Sequence, residues 1–154
     1  MDKALLEDLC KELASAAAAE HVEKLVVGAF VVDKGRLLIL QRKSDDFLPD
    51  VYETPGGGVE PRETIPHALA RELAEETGLR LSSIGEYLGH IDYIEEHGRP
   101  ARQFNFTVKV GSVNRIVHPE HLRYAWVSEE ELSNYKMTGE MLKSIKDFFA
   151  RRRD

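Results

Sequence analysis

The sequence predicts one layered α/β or α+β domain, and three observations support this fold class. With 154 residues, 42% of them hydrophobic and 31% charged, the chain is long enough for one ordinary core and too short for two catalytic domains. Strand-like and helix-like segments are interspersed in the order helix, two strands, loop, helix, three strands, helix. No internal repeat, low-complexity tract or linker divides the sequence.

The N-terminal segment predicts an amphipathic helix over residues 3–20. Leucines recur there at helical spacing, at Leu5, Leu6, Leu9 and Leu13, and an alanine run follows. We expect residues 1–21 to form this helix and residues 22–154 to form the main domain. The helix packs either on that domain or on a second copy of the chain, which would make the protein a homodimer.

The next two elements predict a β-hairpin followed by a loop. The apolar runs KLVVGAFVV (24–32) and RLLILQR (36–42) flank the short turn Asp33-Lys34-Gly35. Prolines and glycines in DDFLPDVYETPGGG (45–58) then break regular structure, so we expect a loop.

The second helix is predicted from Thr64, a suitable N-cap, to about Thr77, with Gly78 as a left-handed C-terminal residue. The remaining segments predict strands at 84–94, 102–110 and 123–127 and a turn of helix at 128–132. The apolar pattern of residues 139–153 predicts a final amphipathic helix.

Three glutamates of the second helix form the strongest chemical signal. Glu72, Glu75 and Glu76 stand at i, i+3 and i+4, so their carboxylates fall within an arc of roughly 100°. Like charges repel at this spacing, and a divalent cation would turn the repulsion into attraction. A cluster of oxygen ligands suits Mg²⁺ or Mn²⁺, with phosphate oxygens of a substrate completing the coordination. The alternative is a solvated helix face paired with Arg71 and Arg80.

The net charge, the cysteine content and the apolar stretches limit the expected binding partners and the expected location of the protein. A formal charge of −6 argues against a stable nucleic-acid complex held by a broad basic surface, but allows a pocket for one small phosphorylated molecule. The single cysteine, Cys10, excludes an intramolecular disulfide, so a reducing, cytoplasmic location is expected. The N-terminus lacks the pattern of an export signal, and no stretch approaches the roughly 20 apolar residues of a membrane span.

Other basic and aromatic residues could contact a substrate. Four basic residues could contact phosphate groups, although such residues are more often surface charges: Arg42, Lys43, Arg99 and Arg102. Four histidines are possible acid–base groups, but their spacing forms no metal motif: His90, His97, His118 and His121. Five aromatic residues fall in predicted strands, where we expect most of them to pack in the core: Tyr87, Tyr93, Phe104, Phe106 and Trp126.

The glutamate helix and the segment before it carry a family resemblance. Gly57, Glu63, Arg71-Glu72-Leu73, Glu75-Glu76 and Gly78-Leu79 match every defined position of the Nudix box, over residues 57–79. The sequence therefore resembles the Nudix hydrolases, over roughly residues 24–150. The resemblance implies an α/β/α sandwich with a mixed sheet, and a hydrolase that cleaves the phosphoanhydride bond of a nucleoside diphosphate linked to another moiety, with Mg²⁺ or Mn²⁺ as cofactor.

The resemblance also implies roles for individual residues. It implies metal ligands at Gly56, through its carbonyl, and at Glu72, Glu75 and Glu76. Arg71 would orient the carboxylates of Glu63 and Glu75, and Glu63 would support the ligands instead of acting as the base. The general base is Glu75, Glu76 or an acid from a later loop, for which the sequence offers Glu95, Glu96 and Glu120. We favour Glu120 among these three, because HPEHLRYAWV resembles the segment that leads into a late strand in many members.

The residues that are typical of individual subfamilies are absent, so the sequence resembles the family in general and no single subfamily. Glu95 stands where ADP-ribose-cleaving members carry a proline, and His97 stands where dinucleoside-polyphosphate hydrolases carry a tyrosine. We therefore expect a (d)NTP or a nucleotide sugar as substrate, with ADP-ribose or a dinucleoside polyphosphate as the alternative. A catalytically silent nucleotide-binding module is the alternative of another class, and the intact box favours the hydrolase.

Overall fold

The computed structural model describes residues 1–117 and 121–153. Its helices are α1 (Lys3–Ala19), α2 (Ile65–Thr77) and α3 (Gly139–Arg153), with a 3₁₀ helix at Glu129–Asn134. Its strands are β1 (Lys24–Asp33), β2 (Arg36–Arg42), β3 (Tyr52–Glu53), β4 (Gly56–Gly58), β5 (Leu81–Ile94), β6 (Pro100–Val110) and β7 (His121–Val127). In the described ranges, no helix is long and apolar enough to cross a membrane.

The strands form a mixed seven-stranded sheet. The order β3-β2-β1-β6-β5 forms the main path, while β4 pairs with β1 and β7 pairs with β2. Strands β1 and β6 run parallel, and the other pairs are antiparallel. Strand β2 therefore lies between β3 and β7, and β1 lies between β4 and β6 over its first half.

Alternate residues of the central strands face two separate cores. Phe30 of β1 packs in one core with Ile145 and Phe148 of α3. Val27 of β1 packs in the other core, together with buried residues of α1 and α2. Because helices cover both faces of the sheet, the expected α/β/α sandwich with a mixed sheet is confirmed.

Helix α1 packs on its own domain. Leu6, Cys10 and Ala17 are buried in the core that α2 also contributes to. The amino group of Met1 donates to the carbonyl of Ile84, 2.9 Å away. Of the two packing alternatives for this helix, the intramolecular one is present, and homodimerisation stays a prediction, as does the domain boundary at residues 21 and 22.

The caps of α2 lie where the sequence predicts them. Thr64 Oγ1 accepts a hydrogen bond from the amide of His67, and Gly78 has a φ of 75°, the left-handed conformation that glycine adopts without strain. The expected loop over residues 45–58 is only partly correct, because it contains β3 and β4. Strand β4 consists of three glycines, so only main-chain pairing with β1 defines it, and no side-chain pattern could reveal it.

Candidate active site

Arg71 of α2 connects the acidic residues along one side of the site. Its Nε and Nη2 donate to the two oxygens of Glu63, each at 2.7 Å, and Nη2 also donates to the Gly58 carbonyl at 2.8 Å. Its Nη1 donates to Glu72 at 2.8 Å and to Glu75 at 3.3 Å. The predicted pairing of Arg71 with Glu63 and Glu75 is therefore present, and Glu72 joins it.

This network keeps Glu63 charged and held in place. Two hydrogen bonds from Arg71 lower the pKa of Glu63 far below its usual range, and the same carboxylate raises the pKa of Arg71. The side chain of Glu63 is only 6% exposed, and its geometry is that of a bidentate arginine–carboxylate pair. Both oxygens of Glu63 are engaged by Arg71, which suits a supporting residue better than a metal ligand or a base.

The glycines of β4 bring the main chain against two box carboxylates. A Cβ atom on Gly57 would clash with the carboxylate of Glu72, so this carboxylate lies directly on the strand. The amide of Gly56 donates to Glu76 Oε1 at 2.6 Å. A Cβ atom on Gly56 would clash with the Val27 carbonyl of β1, so glycine is required there for strand pairing.

Glu76 lies deeper than its two neighbours and faces another set of residues. Its side chain is 6% exposed, against 14% for Glu72 and 51% for Glu75. Glu76 Oε2 lies 3.4 Å from His121 Nε2, and the same nitrogen lies 3.3 Å from Glu53 Oε2. Glu53 belongs to β3 and His121 to β7, so three elements distant in sequence meet here.

The sequence does not predict the grouping of Glu53, Glu76 and His121. Spacing gives His121 no place in a metal motif, and Glu53 has no distinguishing neighbour pattern. Glu53 and His121 meet because their strands, β3 and β7, pair with opposite edges of β2. Leu40 of β2 pairs with Glu53, and Arg42 of β2 pairs with His121. The only signal in the sequence is the position of Glu53, three residues before the glycine run.

A cavity of about 510 Å³ opens beside β4. The three glycines line it at one end, and it also contacts Phe47, Tyr93 and Ile94, whose side chains are partly exposed to solvent. Lys24 lies at the glycine end, since a Cβ on Gly58 would lie only 2.5 Å from its Nζ. The cavity thus combines an apolar wall with a cation above the glycine strand, and its size suits a small-molecule ligand.

The candidate bases outside the box have different surroundings. Glu95 is hydrogen-bonded to Arg99, which lowers the pKa of Glu95 to about 2 and makes it a poor proton acceptor. Glu96 is exposed and borders the cavity. Glu120 lies outside the described residues, so the preference for it stays a prediction.

The basic and aromatic candidates divide between structural and cavity positions. Arg102 is buried and contacts Asp92 and Glu20, while Arg42 contacts Glu53 and Asp46. Phe104 and Phe106 are fully buried, as expected for aromatic residues of the core. Tyr93 instead borders the cavity, so it is the aromatic candidate placed to contact a ligand there.

The donor set fits divalent cations. Glu72 and Glu76 offer carboxylate oxygens beside the β4 backbone, and Glu75 adds an exposed one. Arg71 donates to Glu72 and the Gly56 amide donates to Glu76, which fixes the orientation of both carboxylates. Clustered oxygen ligands with room for phosphate oxygens are the arrangement in which proteins bind Mg²⁺ and Mn²⁺.

Comparison with known proteins identifies the family of the chain. Residues 22–148 match the sequence profile of the NUDIX domain. The chain is 32% identical to a CTP pyrophosphohydrolase of Escherichia coli K12 over 127 residues, which cover 82% of this chain and 92% of that protein. It is 30% identical to the nucleoside triphosphatase NudI of Klebsiella pneumoniae strain 342, covering 75% of this chain and 89% of the relative.

The fold is similar to that of a MutT protein from Methanosarcina mazei Go1. The TM-score is 0.75 at 26% sequence identity, and the match covers 88% of this chain and 98% of that protein. The likeness in fold therefore extends over most of both chains.

Proposed function

Because the chain belongs to the NUDIX family and is a Nudix hydrolase, we propose that it is an Mg²⁺-dependent pyrophosphohydrolase of a nucleoside triphosphate. Water would add to one phosphorus of the anhydride between the α- and β-phosphates, and the products would be a nucleoside monophosphate and pyrophosphate. Mn²⁺ is an alternative cation, and a nucleotide sugar is an alternative substrate.

The observation that carries the proposal is the contact between the glycine strand β4 and the box carboxylates. Glu72 lies against Gly57, and Glu76 accepts from the Gly56 amide, so both carboxylates contact the strand whose glycines line one end of the cavity. A polyphosphate in the cavity would therefore lie beside the metal ligands. Both relatives described above carry names that refer to triphosphates, which favours a triphosphate over ADP-ribose or a dinucleoside polyphosphate.

Each group of residues has a separate task in this mechanism. A divalent cation held by Glu72, Glu76 and the Gly56 carbonyl would polarise the phosphate oxygens and make a water molecule more acidic. Arg71 fixes Glu63 and Glu72, so that the ligand geometry exists before the substrate arrives. Lys24 lies above Gly58, where its ammonium group can contact a phosphate of the substrate.

The proton of the attacking water needs an acceptor. Glu75 is half exposed, and its contact with Arg71 is a long one of 3.3 Å, so its carboxylate can reach water at the site. Glu76 and Glu120 stay alternatives. The apolar side of the cavity, which includes Tyr93 and Phe47, is suited to the face of a nucleobase.

The test is a substrate screen with Mg²⁺ or Mn²⁺. Nucleoside triphosphates, their deoxy forms, nucleotide sugars, ADP-ribose and dinucleoside polyphosphates would be separated from their products by anion exchange. We expect at least one triphosphate to give equal amounts of monophosphate and pyrophosphate. Glu72→Gln, purified in the same way, should lose this activity, which controls for contaminating phosphatases.

Other product patterns would contradict the proposal. Turnover of ADP-ribose or a dinucleoside polyphosphate without turnover of any triphosphate would replace the substrate. Release of inorganic phosphate instead of pyrophosphate would place the cleaved bond elsewhere. Saturable nucleotide binding without turnover of any compound would favour the catalytically silent module.

A further inference from the structure

We infer that Glu53, Glu76 and His121 form a second divalent-cation site, with one nitrogen and two oxygen ligands, that selects Zn²⁺-like transition metals over Mg²⁺. The inference deepens the proposed function and rests on it for the role of Glu76, which the two sites share. Among the described residues, these three offer ligand atoms that all lie within 4.8 Å of one another.

The two separations that involve His121 Nε2 match those between neighbouring ligands of a tetrahedral metal ion. His121 Nε2 lies 3.3 Å from Glu53 Oε2, a long hydrogen bond, and 3.4 Å from Glu76 Oε2. Both separations exceed the length of a strong charge-assisted N–H···O bond, about 2.7–2.9 Å. Around a tetrahedral ion with bonds of about 2.0–2.1 Å, neighbouring ligands are about 3.3–3.4 Å apart. Both observed separations fall in this range.

The carboxylates are oriented from outside the site. Glu53 uses Oε1 to accept from Arg42 Nε at 2.7 Å, and Glu76 uses Oε1 to accept from the Gly56 amide at 2.6 Å. The second oxygen of each carboxylate is the one that faces His121 Nε2. Anchoring one oxygen of a ligand by a neighbouring donor is how proteins fix the direction of the oxygen that binds the metal.

Burial and ligand type determine which cation fits. His121 is 8% exposed, and Glu76 is 4% exposed, so an ion at this place would be largely removed from water. Mg²⁺ loses its water shell reluctantly and prefers oxygen ligands, whereas an imidazole together with carboxylates suits Zn²⁺ and its neighbours. Three protein ligands would leave the fourth position of a tetrahedral ion open for water or a phosphate oxygen.

The experiment measures Zn²⁺ binding to the full chain without nucleotide. Zn²⁺ would be titrated calorimetrically with Mg²⁺ in large excess, and Co²⁺ would replace Zn²⁺ for visible absorption spectra, which report tetrahedral coordination. We expect one saturable site and the intense bands of tetrahedral Co²⁺. His121→Gln should weaken Zn²⁺ binding about 10-fold or more and remove these bands.

Matched variants separate this site from its surroundings. His97→Gln changes an exposed histidine that also lies near a glutamate, 3.6 Å from Glu96, and should leave Zn²⁺ binding unchanged. Glu53→Gln provides a second, independent test if His121→Gln does not fold, since it should also weaken Zn²⁺ binding about 10-fold. Circular dichroism and thermal melting would confirm that each variant is folded.

The results that overturn the inference are distinct from those that overturn the proposed function. Zn²⁺ binding that is unchanged in Glu53→Gln, or in folded His121→Gln, would leave only a histidine hydrogen-bonded between two carboxylates. Octahedral Co²⁺ spectra in the unaltered protein would likewise contradict a tetrahedral site at these three residues. Glu72→Gln should abolish hydrolysis and retain the Zn²⁺ site. An unaltered protein without hydrolytic activity that still binds Zn²⁺ through His121 would refute only the proposed function.

Discussion

The carboxylates around helix α2 form two groups that are held in different ways. In the first group, Arg71 contacts Glu63, Glu72 and Glu75, all within α2 or the segment just before it. In the second group, Glu76 faces Gly56, Glu53 and His121, which belong to three different strands. An arginine holds the first group, whereas contacts between distant strands hold the second.

The first group depends on the local geometry of a helix, whereas the second depends on tertiary contacts between strands. The spacing of 3.6 residues per turn is sufficient to place Glu72, Glu75 and Arg71 on one side of a helix. The second group exists only because β2 pairs with both β3 and β7. Substitutions in the two groups should therefore have different effects on activity, Zn²⁺ binding and stability.

The largest effect is expected for Glu76→Gln. The amide oxygen of the introduced glutamine can still accept from the Gly56 amide, so the fold should persist, but the site loses a charged ligand. We expect kcat/KM with Mg²⁺ to fall about 10²–10³-fold, the scale of losing one electrostatic group at a transition state. Steady-state kinetics with the best triphosphate would measure this.

The matched control is Glu130→Gln, which alters an exposed glutamate of the 3₁₀ helix. Its kinetics and melting temperature should equal those of the unaltered protein. Turnover by Glu76→Gln within a factor of about three of the unaltered protein, a difference of less than about 1 kcal/mol, would remove Glu76 from the metal ligands.

A slightly smaller loss of activity is expected for Gly57→Ala, which affects Glu72 in the group held by Arg71. The added Cβ would displace the Glu72 carboxylate, and Gly57 does not have the positive φ that would strain alanine. Because a displacement of about 1 Å can cost about 10²-fold in rate, we expect kcat to fall on that scale. Zn²⁺ binding at Glu53, Glu76 and His121 should remain.

Gly111→Ala provides the control for the added methyl group. A Cβ there meets nothing within 4 Å, so activity and stability should change little. Equal activity of Gly57→Ala and the unaltered protein would show that the position of Glu72 against β4 has no catalytic importance.

Most of the fold and one of the two carboxylate groups could be predicted from the sequence. Helix α2 is predicted with its caps, because Thr64 and Gly78 act locally and their effects depend on the residue type alone. The resemblance over residues 57–79 indicates the box, and the contacts of Arg71 agree with it. These features depend on neighbours in sequence.

The features that the sequence does not reveal depend on distant strand pairing. Strand β4 has no side chains, and the proximity of Glu53 to His121 requires the order β3-β2-β7. The role of Lys24 is equally hidden, because its place above Gly58 results from the pairing of Val26 with Gly58. Nothing in the local pattern of these residues distinguishes them from ordinary surface charges.

The smallest effect concerns stability and involves Glu63. Its pKa is held below the ordinary value of about 4.5 by Arg71, so it takes up a proton more readily in the unfolded chain than in the folded one. The stability that it contributes is therefore fully present above pH of about 4.5 and is lost as the pH falls through the folded pKa. Glu63→Gln should lower the free energy of unfolding at pH 7 by about 1–2 kcal/mol, and this difference should shrink below pH of about 4.5.

Urea unfolding of both proteins between pH of about 3 and 7 would measure this difference. Since His67 Nδ1 lies 2.7 Å from Glu63, both proteins should carry His67→Gln, which leaves the contacts of Glu63 with Arg71 and the Glu60 amide. Glu7→Gln on the exposed face of α1 should show no such dependence. A difference that stays constant to the acid end of this range would mean that Arg71 holds Glu63 through packing and not through charge.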